Sequence, residues 1–139
     1  MKNNVDPSRV QFDAFKALPR DTPIMMLNLI KLRDESVYPD GSVVSGAQAY
    51  ETYSRESGPV FSRVGGEIIL RGIPEGVVIG PGDEHWDIAF IARYPNAGAF
   101  LEMLMDADYK TAVVNRQLAV DDSRLIRMGE AEPGQEFFS

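Results

Sequence analysis

The chain alternates between short apolar runs of strand length and longer stretches in which apolar residues recur every three or four positions. Ile24 to Leu32 is a nearly unbroken run, interrupted by Asn28 and Lys31, and predicts a central strand covered on both faces. Upstream, Asp6-Pro7 stands before Val10, Phe12, Phe15 and Leu18, which predicts an N-cap and first-turn proline opening a short leading helix that ends before Pro19. Arg33 to Val44 is polar and carries Pro39-Asp40-Gly41, the composition of a long turn-bearing loop or small hairpin. Ser45 then caps a helix whose apolar positions Ala49, Tyr50, Tyr53, Val60, Phe61 and Val64 keep helical spacing. Pro59 falls inside that pattern and lacks a backbone donor, so a kink or break is expected at Ser57-Gly58, with a second short segment reaching Val64.

Gly65-Gly66 ends this helix and starts a strand from Glu67 to Arg71, closed by Gly72 and Pro74, with Gly76 to Ile79 as a candidate extension. After the loop Gly80-Pro81-Gly82-Asp83, Trp86 to Tyr94 alternates large apolar groups as a strand does. Ala97 to Met105 and Tyr109 to Leu118 predict helices, and Ser123 to Met128 a last strand. The tail from Gly129 is polar apart from Phe137 and Phe138. The leading helix aside, the order is strand, helix, strand, strand, helix, strand, the split βαβ arrangement. The expected class is therefore α+β, a ferredoxin-like βαββαβ fold with a four-stranded antiparallel sheet and helices on one face. No repeat or linker interrupts it, so residues 1–139 are expected to form a single domain: a leading helix over 1–20, the core over 24–128 and a tail over 129–139.

Helices on one face leave the other to be buried by something else. Ile24, Met26 and Ile30 alternate with Met25, Leu27 and Leu29, and Trp86, Ile88 and Phe90 alternate with Ala89 and Ile91, whereas a solvated face would read polar at alternate positions. The second face is expected to pack on another copy of the chain, sheet to sheet, in a two-fold homodimer. Alternation sets Asn28 with Ile24, Met26 and Ile30, on the face assigned to that pairing.

Composition narrows the partners. With 139 residues, 44% hydrophobic and 25% charged, the chain is an ordinary globular one, able to bury a core without disulfides. A net charge of −7 with scattered Lys and Arg argues against nucleic acid and anionic membrane. The first residues hold no apolar signal region, and no apolar run approaches the ~20 residues that span a bilayer, so the expected compartment is cytoplasmic. Zero cysteines remove thiol catalysis and thiolate metal sites, and one histidine cannot complete the usual zinc set. Asp106 and Asp108 lack the Ca²⁺-loop pattern, and no P-loop, Gly-x-Ser-x-Gly or complete Gly-x-Gly-x-x-Gly is present; no cofactor is expected.

Six residues stand out as ligand-binding candidates. Asn28 is an amide within an apolar strand, where an unmet hydrogen bond costs about 1–3 kcal/mol, so it must face a polar pocket or a structural network. Arg71, read on one strand face with Ile69 and Glu67, can take a carboxylate in bidentate fashion, from a ligand or from Asp87 or Glu67. His85, the sole histidine, is a proton-transfer or axial-ligand candidate, or an exposed residue at a loop edge, and Trp86 follows it. Tyr53 can bring its hydroxyl to a pocket rim while its ring packs, as Tyr50 and Tyr109 pack on their helices. Arg116 shares a helical face with Tyr109 and can pair with Asp106, Asp108 or Asp122.

Several of these residues also carry a family likeness. Met26-Leu27-Asn28-Leu29-Ile30-Lys31-Leu32, Tyr50 and Tyr53 on the next helix, Gly65-Gly66 with Arg71-Gly72, Trp86 before a strand ending in Tyr94-Pro95, and Tyr109 seven residues before Arg116 together resemble the DUF1330 family of the dimeric α+β barrel superfamily, from about Ile24 to Met128. The resemblance implies the dimeric barrel and no defined reaction. The leading helix and the Arg33 to Val44 loop are longer than the shortest members have, and either could cover a cavity mouth or simply enlarge the surface. The superfamily includes cofactor-independent monooxygenases of antibiotic biosynthesis, haem-degrading monooxygenases, chlorite dismutase-like proteins and muconolactone isomerase; inheriting a reaction from it is analogy at the level of fold.

The residues support two functions of different class. One is binding or transformation of a small hydrophobic or aromatic acid in a pocket between sheet and helices, lined by Met26, Asn28, Arg71, Trp86 and Phe90. The other is a non-catalytic dimeric structural or interaction module whose polar residues fix strand register. A cofactor-independent or haem-linked monooxygenase is the third reading, by superfamily analogy.

Overall fold

The structure is a computed structural model and describes residues 3–134 and 137; Phe138, noted in the tail, lies outside the described residues. Nine residues, Arg9–Ala17, form α1, capped by Ser8, whose hydroxyl accepts from the Gln11 amide at 3.1 Å. The cap is thus Ser8 and not Asp6-Pro7, because the short serine side chain directly before the helix reaches an otherwise unpaired amide of the first turn. The remaining elements are β1 Ile24–Leu32, β2 Glu35–Val37, β3 Val43–Ser45, α2 Gly46–Arg63, β4 Glu67–Gly72, β5 Ile88–Tyr94, α3 Ala97–Met105, α4 Ala107–Ala119 and β6 Val120–Gly129.

The predicted long loop is the hairpin β2–β3, turning at Gly41, where φ is 87°. It lies against α4: Ser36 Oγ donates to the Leu118 carbonyl at 2.8 Å and the Tyr38 hydroxyl to Asn115 Oδ1 at 2.5 Å. Ser45 and Gln48 form a reciprocal capping box at the start of α2. That helix runs on through Pro59 without the expected break. Pro59 and Arg55, the residue whose carbonyl loses its partner, are both exposed, so water can take the bond that proline removes. Gly76 to Ile79 forms no strand: Val78 and Ile79 are 95% and 94% exposed between Pro74 and Pro81, which interrupt any ladder.

The four core strands form one antiparallel sheet in the order β4-β5-β1-β6. This is the ferredoxin-like α+β arrangement, with the helices on one face. Its two faces can be read row by row from the register. Arg71, Phe90, Asn28 and Leu125 face one another across the four strands, and so do Ile68, Ala92, Met26 and Arg127. These rows share the face on which Ile24 and Met26, both at most 2% exposed, pack with Tyr94, Phe100, Met103 and Tyr109 beneath the helices. Asn28 therefore faces the helices, not the open face to which the sequence pattern assigned it: both parities of β1 are apolar, so alternation groups the residues without saying which group the helices cover. The opposite face carries a wholly apolar row, Leu70, Ile91, Leu27 and Ile126, with Leu70 56% and Ile126 48% exposed. Ion pairs edge that face, Arg93 with Glu67 and Glu130, and Arg124 with Glu84 and Asp122.

Candidate functional site

Between the helix-covered face and the helices lies a cavity of about 1230 Å³. Its floor includes the rows Arg71-Phe90-Asn28-Leu125 and Ile68-Ala92-Met26-Arg127. At about 4.8 Å per strand the Arg71 row is about 14 Å across, enough for a small ring system lying flat.

Arg71 owes its place on the floor to a register shift between Ile68 and Leu70. Such a bulge adds one residue and reverses the parity of every residue beyond it on the strand, so Arg71 shares a face with Ile68 instead of Ile69 and Glu67. Neither acidic residue offered as its partner takes it: Glu67 lies 4.0 Å from Arg93, and Asp87 accepts from the Leu32 amide at 2.7 Å and meets His85 Nε2 at 3.0 Å. Arg71 is exposed and has no ion pair among the described residues. Asn28 donates from Nδ2 to the Met26 carbonyl at 3.0 Å, while its Oδ1 has no hydrogen-bond partner among the described residues.

The roof comes from α2 and α4. Tyr50 and Tyr53 are one turn apart, their rings 5.4 Å apart, and the Tyr53 and Tyr109 hydroxyls meet at 2.9 Å with rings at 6.1 Å and 75°. Because one hydroxyl of that pair donates to the other, one proton remains to be offered into the cavity. Burial first, then the neighbouring Tyr53, pushes the Tyr50 and Tyr109 phenols well above the ordinary tyrosine range, partly offset by the Arg116 charge; burial does the same to Tyr94. These phenols are neutral donors and acceptors at physiological pH. Since their folded values are raised, the stability they contribute is complete below about pH 10 and is lost as pH rises further. An absorbance titration at 295 nm should show Tyr50, Tyr94 and Tyr109 ionising only together with unfolding; full phenolate formation near pH 10 in the folded chain would contradict their burial.

Arg116, two turns along α4 from Tyr109, pairs with none of the three aspartates expected. Its Nη1 donates to the Val5 carbonyl at 2.6 Å and its Nη2 to Ser123 Oγ at 3.3 Å. Asp106 is taken by Arg63 and by capping α4, and Asp122 by Arg124 at 2.9 Å. Phe12 and Phe15 of α1 supply a side wall, Phe15 lying 5.2 Å from Phe100 and under the Arg127 guanidinium at 4.9 Å. The leading helix thus lines the cavity, whereas the β2–β3 hairpin does not.

The cavity gathers Met26, Asn28, Tyr53, Arg71, Phe90 and Arg116. Trp86 and His85 stand outside its lining, on the stretch before β5, of which Asp87 does reach the cavity. Trp86 lies under the Arg124 guanidinium at 5.2 Å, and the His85 side chain is 64% exposed. Arg127, Phe12 and Phe15 line the cavity without having stood out in the sequence. Arg127 has the parity of Leu125 on β6, a usable signal only once the helix-covered face is known. Among the described residues no three His, Asp or Glu side chains are gathered as metal ligands, and no helix is long and apolar enough to cross a membrane.

A ferredoxin-like α+β domain with a cavity between sheet and helices, lined by apolar side chains, four arginines and two aspartates, is the class that fold and site define. Within it, the chain belongs to the DUF1330 family, a domain of unknown function whose model matches residues 42–129. It is similar to the crystal structure of RPA0582, a protein of unknown function from Rhodopseudomonas palustris, at 49% identity and a TM-score of 0.90 over 95% of this chain and 100% of that one. A methylated form of RPA0582 gives 50% identity and a TM-score of 0.92 over 97% and 100%. SnoaB, a cofactor-independent oxygenase from Streptomyces nogalater, shares the fold at 12% identity and a TM-score of 0.54, over 83% of this chain and 99% of that one. No curated protein sequence matches the chain.

Proposed function

We propose that this chain is a homodimer that binds a small hydrophobic or aromatic carboxylic acid in the cavity between its sheet and helices. One observation carries the reading. Arg71, Arg116 and Arg127 all line the cavity, and none has a carboxylate partner among the described residues, although the chain holds 21 Asp and Glu against 14 Lys and Arg. Guanidinium groups beside Phe90, Phe15 and Met26 suit a ligand with an anionic end and an apolar body. The remaining proton of the Tyr53–Tyr109 pair is available to an oxygen of the bound acid. Likeness in fold to a cofactor-independent oxygenase is compatible with turnover in the same cavity, as analogy only.

The reading as a purely structural module is less well supported, since the cavity is at least as large as the ~300–1,000 Å³ of ordinary ligand sites and Asn28 keeps an acceptor free within it. A haem-linked reading loses its one histidine, which lies outside the cavity beside Asp87. Calorimetric titration with benzoate, 2-naphthoate and their amides separates these possibilities. The acids should bind at least ~10-fold more tightly than the amides, the worth of one charge-assisted contact. Equal affinity for acid and amide would contradict carboxylate recognition, and no binding at all would favour the structural module.

A further inference from the structure

The stretch before α1 is not accounted for by the fold. Residues 3–8 precede the first helix, lie outside the segment that matches the family, and run along the start of β6. They are tied down by polar contacts: the Asn4 amide donates to Asp122 Oδ1 at 2.9 Å, and the Asn4 carbonyl accepts from Ser123 Oγ at 2.8 Å. The same Ser123 hydroxyl accepts from Arg116, whose other terminal nitrogen donates to the Val5 carbonyl. The guanidinium is thereby gripped by one backbone carbonyl of the leading segment and by a hydroxyl that the segment itself orients. An arginine has five donors, so two held in this way leave three to be offered elsewhere. Arg116 lines the cavity, and its charge is felt by Tyr50 and Tyr109 in the roof.

We propose that residues 3–7 are a working part of the ligand site: they fix the Arg116 guanidinium so that its remaining donors receive the ligand's carboxylate. The inference rests on the reading of the cavity as an acid-binding site and deepens it by naming which cation meets the acid and what holds it. A flexible arginine must lose rotamer freedom when it captures an anion; one already fixed by Val5 and Ser123 has lost it beforehand, and the anion binds more tightly for that reason. Arg116 is the carboxylate-binding residue, and the leading segment is its positioning element. The apolar body of the ligand then lies toward Phe12 and Phe15, which belong to α1 and come directly after the segment.

The test compares the intact chain with a truncation lacking residues 1–7, which keeps the Ser8 cap and a helix that contains no buried residue. Affinities for 2-naphthoate and 2-naphthamide are measured on both, and again with Arg116→Gln in each background. Truncation should weaken the acid ~3- to 10-fold and leave the amide within about twofold, the rotamer freedom of one arginine being at stake. Arg116→Gln in the intact chain should cause a loss of acid binding at least as large, and truncation should then add nothing, because the segment acts through Arg116. A purely structural role would weaken acid and amide alike, and would do so equally when Arg116 is absent; that result overturns the proposal. So does a truncated chain that binds both probes as the intact one does, an outcome that leaves the cavity reading standing. Should truncation unfold the chain, Ser123→Ala replaces it with the same expectations. Failure of the intact chain to bind 2-naphthoate would overturn both the cavity reading and this one.

Discussion

Arg71→Ala should weaken the binding of 2-naphthoate by roughly two- to fivefold while leaving the thermal midpoint of unfolding nearly unchanged. The two halves of that expectation come from the same observation. Arg71 stands at the edge strand β4, exposed and without an ion pair among the described residues, so its removal strips no interaction from the fold. Arg71 on β4 and Arg116 beside β6 stand at the two edges of the sheet, about 14 Å apart, so Arg71 acts on an acid held by Arg116 through its charge and not by contact, which is worth about 0.3–1 kcal/mol. Its charge also offsets the −7 of the whole chain where an anion would enter. Arg71→Lys should recover most of the loss, since an ammonium restores the charge. A change in stability comparable to the change in affinity would show that Arg71 serves the fold instead.

Ile91→Lys should turn the proposed dimer into a folded but weakly associating monomer, readable by light scattering at micromolar concentration. Ile91 occupies the centre of the apolar row Leu70-Ile91-Leu27-Ile126 on the face that no helix covers. An unpaired charge buried there costs several kcal/mol, which corresponds to on the order of a thousandfold in the dimer dissociation constant. Val10→Lys on α1, where the side chain is 80% exposed, should leave association unchanged. A wild-type chain that is itself monomeric under these conditions would remove the sheet-to-sheet arrangement, and Leu70 and Ile126 would need another cover.

The order of the elements was legible in the hydrophobic pattern because β1, β4 and β5 carry apolar runs flanked by glycine or proline, and each helix keeps its three-to-four spacing, while β6, polar at Asp121, Asp122, Ser123, Arg124 and Arg127, showed only its apolar end. The placement of individual side chains was less so, for three separate physical reasons. β1 is apolar on both parities, which conceals the face that the helices cover and misplaced Asn28. The bulge near Ile69 inserts a residue that alternation cannot register, and it moved Arg71 from the open face onto the cavity floor. The third is the ordinary problem of partners distant in sequence: Tyr53 read as a hydroxyl at a pocket rim and Tyr109 as a packed ring, with no sign that their hydroxyls meet, and Arg116 read as a partner for nearby aspartates, whereas its partners are Val5 and Ser123. His85 and Trp86 were misread differently, by extending β5 two residues too early, into a stretch held by the Asp87 side chain and the Arg124 stack.

A small aromatic acid held in the cavity between sheet and helices is the central claim, and a crystal structure of the chain with 2-naphthoate tests it most directly. The ring is expected over Met26, toward Phe12 and Phe15 and beneath Tyr53 and Tyr109, with its carboxylate within hydrogen-bonding distance of Arg116. A cavity closed by the chain's own side chains at a saturating concentration of the acid, or a ring whose carboxylate points away from every guanidinium, would contradict it.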